Sequence, residues 1–143
     1  MTPASSLARH EVRVVREYAD IPSVIVDKHK AIQILVNLIR NAKHALEDGG
    51  PADKHITVRV ARNGDEFVHV RVIDNGIGIS TENLPRLFEY GFTTRKNGHG
   101  FGLHCSIRAA QEMGGTLMAE SEGVGRGATF ILALPIASRP GNS

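Results

Sequence analysis

A single cysteine, Cys105, in 143 residues excludes an internal disulfide and leaves no cysteine pair for a structural zinc site. That scarcity fits a reducing compartment, so the chain is expected in the cytoplasm. No apolar run approaches the roughly 20 residues needed to cross a bilayer, and the first residues lack a signal-peptide pattern. No membrane contact is expected. The formal net charge is only +2 and no dense Lys/Arg stripe accompanies it, which argues against a nucleic-acid partner. The histidines His29, His55, His69 and His104 show no metal-ligand spacing and read as surface or packing residues. No internal repeat is visible.

What is present describes one globular domain. Apolar residues make up 41% and charged residues 22% of the chain, enough for a single core and too ordered a mixture for disorder. One domain over 1–143 is expected, with its core at about 12–135 and a frayed tail over 138–143. Val12, Val14 and Val15 predict a first strand, and 23–26 after Pro22 a second. Asp27 can cap a helix over 29–46, where Ile32, Leu35, Val36, Ile39, Ala42 and Leu46 recur at helical spacing. The runs 56–60 and 67–72 alternate strongly around Asn63-Gly64 and predict a hairpin. A short helix over 80–88, a polar loop over 89–97 and a helix over 102–113 follow, stopped by Gly114-Gly115. Strands over 116–121 and 128–134 close the chain. This mixture predicts an α+β fold: a two-layer α/β sandwich with a mixed sheet covered by helices on one face and more polar on the other. Cys105, at the start of an amphipathic helix, is expected as a small core residue.

Two glycine-bearing motifs carry the chemistry. Asp74-Asn75-Gly76-Ile77-Gly78-Ile79 ends an apolar run with a carboxylate, then turns the chain with spaced glycines that allow a flat ligand to approach the backbone. Asp-Asn-Gly alone is ordinary turn chemistry; the added Gly76 and Gly78 favour a carboxylate that accepts from an exocyclic amine, with Ile79 covering the ring. Gly98-His99-Gly100-Phe101-Gly102-Leu103 opens a helix whose free N–H groups can face phosphates. It is not a dinucleotide fingerprint, because no strand directly precedes it and no acidic residue follows at ribose distance. It is not a Walker loop either, since Gly-Lys-Ser/Thr is missing. Thr94, Arg95 and Lys96 just before it offer hydroxyls and cations for phosphate oxygens. Asn37 and Asn41 are four apart and share a helical face, and an Asn oxygen is a hard ligand suited to Mg²⁺. A lone Asn is usually a solvated helix residue; beside these glycine motifs it reads as part of a nucleotide site.

In this order the motifs resemble the ATP-binding catalytic domain of sensor histidine kinases, within the ATPase group that includes DNA gyrase, mismatch-repair ATPases and heat-shock chaperones. The N box resembles 33–42, the G1 box Asp74 to Gly78, the F box 87–95 and the G2 box Gly98 to Leu103. Gly114-Gly115-Thr116 and Gly125-Arg126-Gly127-Ala128-Thr129-Phe130 match as well, so the resemblance runs from about Val12 to Pro135. It implies that Asn41 is the Mg²⁺ ligand, Asp74 the adenine selector, and Thr129 a partner of Asp74 through a shared water. It also implies that Gly78, Gly98, Gly100 and Gly102 shape the pocket and its lid, with Thr94, Arg95 and Lys96 near the phosphates. Gly76, His99, Phe101 and Leu103 fall within the same boxes, and Ile79 directly follows the G1 box. Two positions depart from many members: His44 stands where a lysine contacts phosphate, and Ala45 where an aromatic ring stacks on the purine.

The resemblance implies Mg-ATP or Mg-ADP as ligand. The hydrolytic relatives place a glutamate one turn before the metal Asn; this chain has Asn37, which cannot act as a general base. Phosphotransfer needs mainly positioning and charge neutralisation, so a histidine kinase is favoured over a hydrolase. The other readings are an ATPase of the same group, an anti-sigma-factor-like serine kinase, and a binding module without turnover. The chain is expected to be a piece of a longer kinase whose dimerisation and phosphoacceptor domain, and through it a response regulator, are its partners. His10-Glu11-Val12-Arg13 imitates a phosphoacceptor signature, but His10 falls in a predicted strand and is set aside.

Overall fold

Strong alternation and helical periodicity resolve into five strands and two helices in the computed structural model, which describes residues 12–24, 26–48, 51–93 and 102–137. The elements are β1 (Arg13–Tyr18), α1 (Lys28–Glu47), β2 (His55–Asn63), β3 (Phe67–Asp74), α2 (Gly102–Glu112), β4 (Thr116–Glu120) and β5 (Ala128–Pro135). The strands form one sheet in the order β1-β2-β3-β5-β4. β1 runs parallel to β2 and every other pairing is antiparallel, so the sheet is mixed. Both helices lie on one face. This is the expected two-layer α+β sandwich.

The Asp27 carboxylate accepts from the Lys30 N–H at 3.2 Å and starts α1 as a side-chain cap. Ala31, Ile34, Leu38, Ala42 and Leu46 then line the buried stripe, each three or four residues after the last. From Ile34 onward they meet Ile56 of β2, Val70 and Val72 of β3, and Phe130, Leu132 and Leu134 of β5. Leu38, Leu46, Val72 and Leu132 are fully buried, and burial of each such side chain is worth about 1.5–3 kcal/mol. α2 packs against α1, β4 and β5. The helix layer does not extend over β1, whose six residues are all exposed.

Four expectations are corrected here. The strand over 23–26 reduces to an isolated bridge between Val24 and Ile136, with Ile25 outside the described residues; Pro22 has no N–H to extend a ladder. The helix over 80–88 is one 3-10 turn, Leu84–Arg86, because Pro85 and the Ser80 hydroxyl capping the Asn83 N–H favour turn geometry. Cys105 is exposed rather than in the core, since the buried side of α2 runs through Ser106 and Ala110. The open sheet face carries Glu17, Thr57 and Arg59, with Glu17 and Arg59 paired at 2.7 Å, yet it also buries His69, Ile131 and Ala133. Those three lie on the inner strands β3 and β5, where neighbouring strands cover them on both sides. Burial, with a smaller contribution from Arg71, holds the His69 pKa below its ordinary value.

Candidate nucleotide site

One face of α1 organises the site. Asn37, Asn41 and Ala45 stand on successive turns, and the two outer residues touch different walls. At one end, Asn37 donates from Nδ2 to Ser106 Oγ of α2 at 3.0 Å. The Asn37 amide sits so close to Gly102 that a Cβ there would come within 2.7 Å of its oxygen. At the other end, a Cβ on Gly76 would come within 2.6 Å of the Ala45 backbone. The Ile77 N–H donates to the Ala45 carbonyl at 3.0 Å, satisfying an acceptor that the helix itself leaves unpaired near its C-terminus. Asn41 therefore lies between the start of α2 and the turn after β3, half-buried. His44 occupies the same last turns of the helix and is also half-buried.

Asp74 closes β3 on the helix side of the sheet and is buried. Its Oδ1 accepts from the Gly76 N–H at 2.8 Å. Burial raises its pKa above the ordinary carboxylate value, and the facing backbone N–H groups of Gly76 and Ala128 oppose that rise. A carboxylate held by one backbone donor keeps lone pairs for a further donor, which is what recognition of an amino group requires.

The turn after Asp74 is locked to the β4–β5 loop. Gly125 N–H donates to the Ile77 carbonyl at 2.6 Å and Gly127 N–H to the Gly76 carbonyl at 3.2 Å. Gly78 has φ +75°, and a Cβ there would collide with the Gly123 carbonyl. Only glycine fits, both for the backbone and for the space. Ile79 is half-buried against the core, with its N–H bonded to Ser121 Oγ at 3.0 Å.

Thr129 does not share this site. Asp74 pairs with Ala128 across β3 and β5, while Thr129 pairs with Ile73. Side chains alternate along a strand, so the Thr129 hydroxyl belongs to the open face and the Asp74 side presents the Ala128 methyl. A water shared by Thr129, Asp74 and a base is incompatible with this register. Gly102 and Leu103 begin α2, with Leu103 packed on the core. The other lid residues singled out by sequence (Thr94, Arg95, Lys96, Gly98, His99, Gly100 and Phe101), and His10 with them, lie outside the described residues.

Two residues of the surroundings escaped the sequence reading: Ser106 partners Asn37, and Ser121 ties the two turns together. His104, expected as a surface or packing residue, pairs with the Phe88 carbonyl through Nδ1 at 3.1 Å. A carbonyl only accepts, so His104 carries its proton on Nδ1. Its ring also meets Tyr90 edge-on at 5.2 Å, which fastens the residues after the 3-10 turn to α2. A serine at a strand end before three spaced glycines was a readable turn signal for Ser121. Nothing local marks Ser106, whose role arises from helix packing.

Among the described residues no cluster of three or more His, Cys, Asp or Glu side chains could hold a metal. A single Asn oxygen nonetheless suits Mg²⁺, which keeps several waters and shares substrate phosphates instead of filling a protein cage.

Comparison with known proteins agrees with this geometry. Residues 26–138 match the family described as histidine kinase-, DNA gyrase B-, and HSP90-like ATPase. The chain is 33% identical over 117 residues to sporulation kinase E of Bacillus subtilis, covering 82% of this chain and 15% of that protein. It is 38% identical over 114 residues to the sensor protein FixL of Bradyrhizobium diazoefficiens, covering 80% of this chain and 22% of that protein. The chain thus spans less than a quarter of these relatives. The catalytic domain of histidine kinase ThkA superposes with a TM-score of 0.73 at 25% identity, over 92% of this chain and 84% of that one. The mycobacterial sensor histidine kinase MprB shares the fold at a TM-score of 0.74 and 20% identity, over 89% of this chain and 83% of that one. Fold, motif order and matched length together place this chain in the histidine kinase-, DNA gyrase B- and HSP90-like ATPase family, as a catalytic domain of the sensor-kinase type.

Proposed function

We propose that this domain binds Mg-ATP and transfers the γ-phosphoryl group to a histidine on a separate dimerisation and phosphoacceptor domain. The observation that carries the reading is the buried Asp74, held by the Gly76 N–H and separated by Asn41 from the start of the glycine-led helix. Adenine occupies the Asp74 end, against Ile79 and the glycines Gly76 and Gly78. The phosphates occupy the end beside α2, near Gly102. Asn41 would hold Mg²⁺, which supplies charge neutralisation on the phosphate oxygens when bound.

In the transfer, an acceptor imidazole nitrogen forms a bond to the γ-phosphorus. The bond from that phosphorus to the bridging oxygen breaks, its electron pair leaves on ADP, and the imidazole proton passes to solvent. This chain's residues position the nucleotide for that displacement. Asn37 stands where a general base would be needed for hydrolysis, and its amide is engaged with Ser106. An amide takes no proton from water, which disfavours the hydrolytic reading.

The test mixes the chain with a cognate phosphoacceptor domain and γ-labelled ATP. Acid-labile label on that domain's histidine is expected, with very slow ATP turnover by the chain alone. Asn37→Glu is expected to raise that turnover by supplying a carboxylate. Robust hydrolysis by the unsubstituted chain would move it to the hydrolytic branch.

Asp74→Asn tests the adenine end by titration calorimetry, with an expected loss of about 1–3 kcal/mol in ADP binding. The raised Asp74 pKa adds a pH dependence: ADP affinity is expected to fall on acidification before an ordinary aspartate would protonate. The sign for stability is opposite. The contribution of Asp74 to the ligand-free fold is fully present below its unfolded pKa and is lost as pH rises through its higher folded pKa, because burial penalises the charged form. Unchanged ADP affinity in Asp74→Asn would remove the adenine assignment.

A further inference from the structure

Two separate backbone segments flank the Asp74 carboxylate. Gly76, whose N–H donates to it, belongs to the turn after β3, and Ala128, its partner across the sheet, follows directly on the β4–β5 loop. Their relative position decides where the free lone pairs of the carboxylate point. One side chain bridges these segments. Ser121 Oγ accepts from the Ile79 N–H at 3.0 Å on the first, and on the second it accepts from the Gly123 N–H at 3.2 Å and donates to the Gly127 carbonyl at 2.7 Å. A hydroxyl has one proton and two lone pairs, and all three are used here. Ser121 therefore holds Ile79 on the first segment and Gly127, the residue preceding Ala128, on the second at once.

We propose that Ser121 is the positioning residue for adenine selection: it touches no ligand, and by stapling the Ile79 turn to the Gly123–Gly127 loop it fixes the direction in which Asp74 accepts. This inference rests on the nucleotide reading above. Two of the backbone contacts across the same seam, Gly125 to Ile77 and Gly127 to Gly76, are independent of any side chain. Losing the hydroxyl should therefore loosen the seam without opening it. Ser121→Ala leaves the Ile79 and Gly123 N–H groups without this acceptor, so the turn bearing Gly76 and the loop leading to Ala128 can shift relative to each other. The consequence is specific. A ligand read through Asp74 suffers, while one lacking the amino group suffers little.

The experiment is calorimetric titration of the chain with ADP and with inosine diphosphate, whose ring carries a carbonyl in place of the exocyclic amine. Ser121→Ala is expected to bind ADP about tenfold more weakly while inosine diphosphate changes far less, so the preference between them narrows. Ser121→Thr, which keeps the oxygen, is expected to restore the preference. Equal losses for both ligands, or unchanged ADP binding, would overturn the proposal. Should Ser121→Ala fail to melt cooperatively, hydrogen exchange on the unsubstituted chain decides instead: the Ile79 amide is expected to be protected without ligand, and free exchange there would sink the idea. Failure of the unsubstituted chain to bind ADP overturns the underlying nucleotide reading. ADP binding that Asp74→Asn weakens and Ser121→Ala does not overturns this inference alone.

Discussion

Replacing Asn41 with alanine is expected to abolish phosphotransfer, lowering its rate by about a hundredfold or more, because the proposed Mg²⁺ loses its protein ligand. The position argues for so large an effect. Asn41 sits midway along the face that touches Gly76 through Ala45 at one end and Gly102 through Asn37 at the other. The side chain is half-buried and lies outside the stripe that packs on the sheet, so its removal should cost the fold little. The loss is therefore expected in chemistry and not in melting temperature. Two measurements separate the causes: transfer of labelled phosphate to the acceptor domain, and ADP titration with Mg²⁺ present or chelated. Asn41→Ala should erase the difference between the two titrations. A variant whose ADP affinity still responds fully to Mg²⁺ would show that the ion is held elsewhere.

Gly78→Ala is expected to disable the site through its scaffold. The backbone at Gly78 has φ +75°, and the added Cβ would meet the Gly123 carbonyl, a backbone atom that cannot rotate away. Strain of about 1–3 kcal/mol and overpacking of similar size, about 1–3 kcal/mol, act on the same seam. Nucleotide binding should fall sharply together with stability. Gly64→Ala is the internal control. Its φ is +73°, yet nothing lies within 4 Å of the added atom, so only about 1–2 kcal/mol of backbone cost is expected, with ADP affinity intact. Denaturant melts and ADP titrations on both variants provide the readout. Equal destabilisation by the two substitutions would show that the Gly123 contact is of no consequence.

The β2–β3 hairpin and α1 were legible because a strand pattern of period two and a helix pattern of 3.6 leave strong traces in sequence. The Asp27 cap of α1 holds, and Ala42 and Leu46 of the expected stripe are buried, but Ile32 and Val36 are exposed and the buried face runs through Ala31, Ile34 and Leu38 instead. Where local signals were short, the reading failed. The 23–26 run is apolar enough for a strand, but pairing depends on a partner edge, and among its described residues only Val24 finds one. Cys105 and Ser106 are adjacent in an amphipathic pattern, and which of them turns inward depends on how α2 seats against α1.

The sequence by itself determined the α+β class, the order of the glycine motifs and the pairing of Asn37 with Asn41 on one helical face, because each is a matter of local spacing. Tertiary structure decided the rest. Register across β3 and β5 set Ala128 beside Asp74 and sent Thr129 to the other face, since a one-residue offset reverses the direction of a strand side chain. Helix packing joined Asn37 to Ser106. The folding of one loop onto another gave the Ser121 hydroxyl three backbone partners. Distances across a fold are not written in spacing along a chain, which is why the two motifs could be found in the sequence and the staple between their supports could not.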